Sequence, residues 1–169
     1  MASGTALVSE QEYLSTNYKP ACDYIDGVLR QKSMGTRKHG VIQARLASLI
    51  EAAFSDFEPA SEVTVKIRTG KYFVPDLIVQ RRDRIQDPYP TEPVHLCVEI
   101  LSPEDRISET FAKCEEYHAW GVETAWVIDP EARRAWEYRK GQRPLDVSQV
   151  GTLTADGISI SMADLFSDL

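Results

Sequence analysis

Two carboxylates interrupt apolar stretches of the chain and need an explanation. Asp76 lies in Phe73-Val74-Pro75-Asp76-Leu77-Ile78-Val79, and Glu99 lies in Leu96-Cys97-Val98-Glu99-Ile100-Leu101. A lone carboxylate buried in a strand loses several kcal/mol of hydration, so it must be protonated or find a partner. Two such acids on neighbouring strands suit one hard cation, with water and a backbone carbonyl completing its shell. Magnesium prefers that arrangement and keeps water for chemistry. The competing reading pairs each acid with a buried Lys or Arg, or leaves Asp76 at a strand bend beside Pro75.

The elements that position these acids follow from local pattern. Ser9 and Glu12 have capping-box spacing, which predicts a short helix over 9–17. Residues 23–33 read as paired strands around the Asp26-Gly27 turn. Val41, Ile42, Leu46, Leu49, Ile50, Ala53 and Phe54 recur at helical spacing, so 36–54 is a helix with Pro59 beyond its end. Strands at 61–68 and 71–79 are joined antiparallel through Thr69-Gly70, and the proline-rich segment 81–93 is a loop. A nearly continuous apolar strand, 94–101, precedes a helix at about 104–119 and a strand at 122–129. A helical connection favours a parallel pair with a right-handed crossover. Residues 133–140 follow the Asp129-Pro130 turn, and a polar tail carries a strand at 157–161 and a helix at 162–167. The order from 36 to 129 is αβββαβ, an α/β arrangement of a mixed central sheet flanked by helices. Extra helix and strands stand N-terminal to it and strands C-terminal. The expectation is one domain over 1–169, with a core of about 36–130 and an extension of about 131–169.

Charge is unevenly spread. The net value is −7, but residues 28–84 carry eleven Lys and Arg against six Asp and Glu. That asymmetry is compatible with a polyanion-facing surface on an acidic body, or with chance clustering of mixed surface charge. Arg30, Lys32, Arg37, Lys38, Lys66, Arg68 and Lys71 are the basic residues that would flank the acids if nucleic acid is the ligand. No apolar run approaches the ~20 residues of a membrane-spanning helix. The N-terminal stretch has no basic start followed by an apolar run, and Cys22, Cys97 and Cys114 form no CxxC pair. A reducing cytoplasm is the expected location.

Pro75-Asp76 followed by Glu99 on the next strand, in this element order, resembles the PD-(D/E)XK nucleases. More closely, Asp23-Tyr24-Ile25-Asp26-Gly27-Val28-Leu29, the His39-bearing helix start, Val98-Glu99-Ile100-Leu101-Ser102-Pro103, Lys113 with Tyr117, Gly121 and Trp126-Val127-Ile128-Asp129-Pro130 resemble the Uma-two family. The likeness runs from about residue 7 to 140. It implies a restriction-endonuclease-like fold and magnesium-dependent hydrolysis of phosphodiester bonds, with manganese as a substitute, but identifies no substrate; nucleic acid, DNA first, is the expected partner. Asp76 and Glu99 would bind the metal. A homodimer would suit cleavage of both strands of a duplex.

One departure matters. The usual lysine two residues after the glutamate is Leu101 here. The Uma-two pattern moves a lysine to the following helix, where Lys113 matches. The strand runs ~7 Å past Glu99 and the helix returns ~12 Å from Asp105 to Lys113, so an ammonium can come level with the acids. A helix wheel also puts Lys113, Cys114, Tyr117 and His118 on one buried side, away from Glu109, Glu115 and Glu116. A solvated, snorkelling Lys113 is the alternative. Asp23 matches a position where the family commonly has glutamate and could approach the metal, or it could be a turn residue. His39 could touch phosphate or a metal-bound water, or simply face solvent. Three functions follow: a metal-dependent nuclease, a catalytically silent binding or assembly module on the same fold, and a hydrolase of small phosphoesters.

Overall fold

The computed structural model describes residues 6–169; residues 1–5, the start of the stretch read above for a leader, lie outside the described residues. In chain order the elements are α1 (Glu10–Ser15), β1 (Cys22–Ile25), β2 (Val28–Gln31), α2 (Arg37–Ala53), β3 (Phe57–Ser61), β4 (Val65–Arg68), β5 (Lys71–Phe73) and β6 (Leu77–Arg81). Then come β7 (Leu96–Ile100), α3 (Ile107–Trp120), β8 (Thr124–Asp129), β9 (Arg134–Arg139), β10 (Leu145–Asp146), β11 (Thr152–Ala155), β12 (Ile158–Ser161) and α4 (Met162–Leu165).

The central sheet has six strands in the order β10-β9-β8-β7-β6-β3. It is mixed: β7 and β8 are parallel across the α3 connection, and the other neighbours are antiparallel. A second sheet, β2-β1-β5-β4, and a β11–β12 hairpin stand apart from it. Alternation along the strands divides the core. Leu77, Val79, Leu96, Val98 and Ile100 face α2, where they meet Ile42, Leu46 and Ile50. Ile78, Cys97, Ala125 and Val127 face the other way and pack with Cys114 and Tyr117 of α3. The C-terminal segment is built into the first of these layers through Leu153, Ile160 and Leu165. Among the described residues no helix is long and apolar enough to cross a membrane.

Four expectations from pattern need correction. Segment 61–68 is not one strand: β3 begins at Phe57 and ends at Ser61, and β4 begins at Val65 in the other sheet. Pro59 stands beyond the end of α2 as expected and lies inside β3, which an edge strand tolerates because a missing N–H costs it no ladder bond. Segment 71–79 is also broken, at Val74-Pro75-Asp76. The Val74 N–H donates to Asp23 Oδ1 at 2.7 Å instead of to a neighbouring strand, and Pro75 has no N–H to give. The strands therefore form two sheets and a hairpin, not one sheet. Helix α3 starts at Ile107 rather than 104, because Asp105 Oδ2 holds the Ser102 N–H at 2.7 Å and fixes 102–105 as a turn.

α3 ends where Gly121 adopts φ 126° and returns its N–H to the Tyr117 carbonyl at 3.0 Å. A Cβ there would lie 2.7 Å from Pro93 Cγ. Gly121→Ala is therefore expected to destabilise the protein by more than about 1 kcal/mol, read as a lowered urea midpoint. An unchanged midpoint would contradict this packing of the helix end.

Candidate active site

Asp76 and Glu99 meet through strand register. β6 and β7 are antiparallel with Leu77 opposite Val98, so Asp76, one residue before β6, stands opposite Glu99. Directly opposed residues share a face, and here it is the α3 face. Asp76 Oδ2 accepts the Ile100 N–H at 2.6 Å, tying the acid to the neighbouring strand. Both carboxylates are buried at the floor of a cleft of about 950 Å³.

α3 supplies the partners of Glu99. Lys113 Nζ lies 3.1 Å from Glu99 Oε1, and the Tyr117 hydroxyl donates to the same oxygen at 2.5 Å. Residues four apart on a helix share a face, so one turn of α3 clamps one carboxylate oxygen. Lys113 also reaches Asp23 Oδ2 at 3.0 Å, and its ammonium sits 5.4 Å from the Phe73 ring centre. Asp23 thus bridges the Val74 N–H and Lys113, joining β1, the strand break and α3. Leu101, in the position usually held by the lysine, is buried among apolar neighbours.

Asp76 has its own basic partners. Lys32 Nζ is 2.6 Å from Oδ1, and His39 Nε2 is 3.4 Å from the same atom. Thr36 caps α2 by accepting the His39 N–H at 3.2 Å. His39 therefore lies in the helix's first turn and is buried, not on open surface. Lys32 also touches Glu62 Oε2 at 3.1 Å, and Gln43 Nε2 donates both to Glu62 Oε1 at 3.1 Å and to the Asp76 carbonyl at 2.7 Å. Pattern reading placed Lys32 only among flanking basic residues and missed Glu62 and Gln43. Glu62 follows a strand break and has φ 56°, a conformation without a reliable sequence signal outside glycine.

Electrostatics separate the two acids. Burial works to raise the Asp76 pKa, but the His39 hydrogen bond and the Lys32 charge outweigh it and hold the carboxyl below its ordinary range. Burial dominates at Glu99 and raises its pKa; Lys113 opposes the rise and Asp76 adds to it. The Lys113 ammonium pKa rises because Glu99 and Asp23 outweigh its desolvation, so it stays charged. His39 behaves alike: burial is the largest influence and lowers its pKa, yet Asp76 carries the net shift above 6.5. Its pairing therefore stabilises the fold fully below pH 6.5 and fades as pH rises through the folded-state value. NMR titration should give a His39 midpoint above 6.5 in the wild type and a lower one in Asp76→Asn. A wild-type midpoint at or below 6.5 would contradict the pairing.

The wider basic set is only partly gathered here. Arg30, Lys32 and Lys71 line the cleft, whereas Arg37, Lys38, Lys66 and Arg68 do not. Lys38, Lys66 and Arg68 are instead paired with Glu131, Glu10 and Asp26. Eight carboxylates and five Lys or Arg side chains line the cleft, which is acidic in balance.

The sequence profile of the Uma2 family, described as "Putative restriction endonuclease", matches residues 9–165. The chain belongs to the Uma2 family. A crystal structure from Anabaena variabilis ATCC 29413, described as a "putative nuclease belonging to DUF820", superposes with a TM-score of 0.80 at 24% identity. The match covers 95% of this chain and 98% of that one, and it shows a shared restriction-endonuclease-like fold. A weaker likeness, TM-score 0.44 at 18% identity, is to the DrdV–DNA complex, covering 73% of this chain and 10% of that one. No curated protein sequence matches the chain.

Uma2 kinship implies a metal, and the donor set can be tested for it. Asp23, Glu62, Asp76 and Glu99 surround Lys32 and Lys113. Four carboxylates face two ammoniums and His39, so negative groups are in excess once the acids are ionised. The donors are hard oxygens, as magnesium requires. Among the described residues, no three His, Cys, Asp or Glu side chains already converge as a cation cage. The set fits in charge and donor type, and a cation at Asp76 must compete with Lys32.

Proposed function

We propose that this Uma2 chain is a magnesium-dependent endonuclease that hydrolyses phosphodiester bonds of DNA. The observation that carries the reading is the Lys113 ammonium, brought by α3 to Glu99 in the cleft that also holds Asp76. Asp76 and Glu99 would hold the ion, and manganese would substitute for it. A bound ion supplies Lewis acidity and an acidified water. The protein's own groups do the rest. Tyr117 fixes the Glu99 carboxylate, His39 keeps Asp76 ionised, and Lys113 offers a fixed ammonium to charge that grows on a phosphoryl oxygen. The Lys113 side chain is 16% exposed, enough to meet a substrate while the rest of it stays packed.

A second reading has support too. Each acid already has a lysine partner, and the cleft is acidic in balance, as a silent binding or assembly module would allow. Cleavage of duplex and single-stranded DNA with magnesium, with manganese and after chelation separates the two. The nuclease reading expects metal-restored cleavage; a module leaves every substrate intact. Arg30 lines the cleft and is exposed, with no carboxylate partner among the described residues. Arg30→Ala is expected to weaken DNA binding and lower the slope of log affinity against log salt by about 1. An unchanged slope would remove Arg30 from the DNA path.

A further inference from the structure

Lys32 and a cation have the same target. Asp76 Oδ2 accepts the Ile100 N–H, so Oδ1 is the more open oxygen for a cation, and Lys32 Nζ sits on it at 2.6 Å with His39 Nε2 at 3.4 Å. An ammonium and a divalent ion that share one carboxylate oxygen repel each other, so cation entry favours withdrawal of the ammonium. The structure provides a second seat. Glu62 holds the same Nζ at 3.1 and 3.3 Å through its two oxygens. Its side chain is 43% exposed, and Gln43 fixes it with the amide that also grips the Asp76 carbonyl. The left-handed backbone at Glu62 is unusual for a residue other than glycine and clusters at functional sites elsewhere.

We propose that Lys32 is an internal counter-ion of the cation site: it covers Asp76 Oδ1 when no cation is bound and retreats to Glu62 alone when one enters. Lys32 and Glu62 then set the affinity of the site without ligating the ion. The inference rests on the reading that Asp76 takes a divalent cation.

Manganese titrated calorimetrically, with no nucleic acid present, tests it. Lys32→Gln is expected to bind manganese more tightly, by roughly 5–150-fold, the usual span of coupling between two sites. Lys32→Arg should bind it more weakly, because a planar fork grips a carboxylate through two parallel bonds. Glu62→Gln removes the second seat and should weaken binding in the wild-type background by more than in the Lys32→Gln background, where only its charge is lost. Should Lys32→Gln fail to fold, Lys32→Arg keeps the charge and Glu62 is exposed, so those two variants still decide. Tight wild-type binding that neither Lys32 variant changes overturns the proposal and leaves the nuclease reading intact. Weakening by Glu62→Gln that is undiminished without Lys32 makes Glu62 a ligand and overturns it as well. Absence of binding in the wild type and in Lys32→Gln alike overturns the metal reading and this proposal together.

Discussion

Lys113→Ala is expected to slow single-turnover DNA cleavage by about 10²–10³-fold, the usual loss when one fixed donor to transition-state charge is removed. Metal binding should survive, because the ammonium is not a ligand, and the acids it neutralised become more available to a cation. Stability should fall as well. Lys113 is paired with Asp23 and Glu99 in a mostly buried setting, and breaking a buried pair on one side costs about 3–5 kcal/mol. The rate is therefore read on protein shown folded by circular dichroism. Lys113→Arg keeps the charge but replaces a compact ammonium with a planar fork, so it should retain more stability than Lys113→Ala while restoring little of the rate. Full activity in Lys113→Ala would leave the lysine as a structural counter-ion only.

Asp76→Asn is expected to abolish both cation uptake and cleavage. The carboxyl is held below its ordinary range, so it is ionised at any working pH. Its contribution to stability has a definite sign: the depressed value makes it fully present above the ordinary 3.8 and lost as pH falls through the folded-state value. The acid limb of the stability curve should flatten in Asp76→Asn. Glu99 acts in the opposite sense. Its raised value means that ionisation costs the fold stability at higher pH, and that protonation relieves the cost. Cation uptake in the wild type should thus release protons near the Glu99 midpoint and tighten as pH rises through it. Metal affinity equal in Asp76→Asn and wild type would exclude this acid as a ligand.

Periodicity made the frame of this site legible. The spacing of Ile42, Leu46 and Ile50 located α2, and the wheel of Lys113, Cys114 and Tyr117 located the buried side of α3. The apolar runs put Asp76 and Glu99 on neighbouring strands, but that they share a face follows from the β6–β7 register, which no local pattern fixes. The resemblance added the role of Lys113, which spacing alone permits but does not demand. Other features depend on contacts remote in sequence. The break at Val74 requires the Asp23 carboxylate 51 residues earlier, and Lys32 meets Asp76 across 44 residues. Neither leaves a mark in a local window. The split between β3 and β4 falls at the left-handed backbone of Glu62; β10 and β11 are too short for period to reveal, whereas the strand read at 157–161 is β12. The basic segment 28–84 misled in another way: charge counted along the chain cannot show that Lys38, Lys66 and Arg68 are already paired on the surface.

The central claim, that Asp76 and Glu99 form a divalent cation site, is most directly tested by calorimetric titration of manganese into wild type and Asp76→Asn under identical conditions. Saturable binding is expected in the wild type and its loss in the variant. Equal heats in the two proteins, or none in the wild type and in Lys32→Gln alike, would contradict the claim.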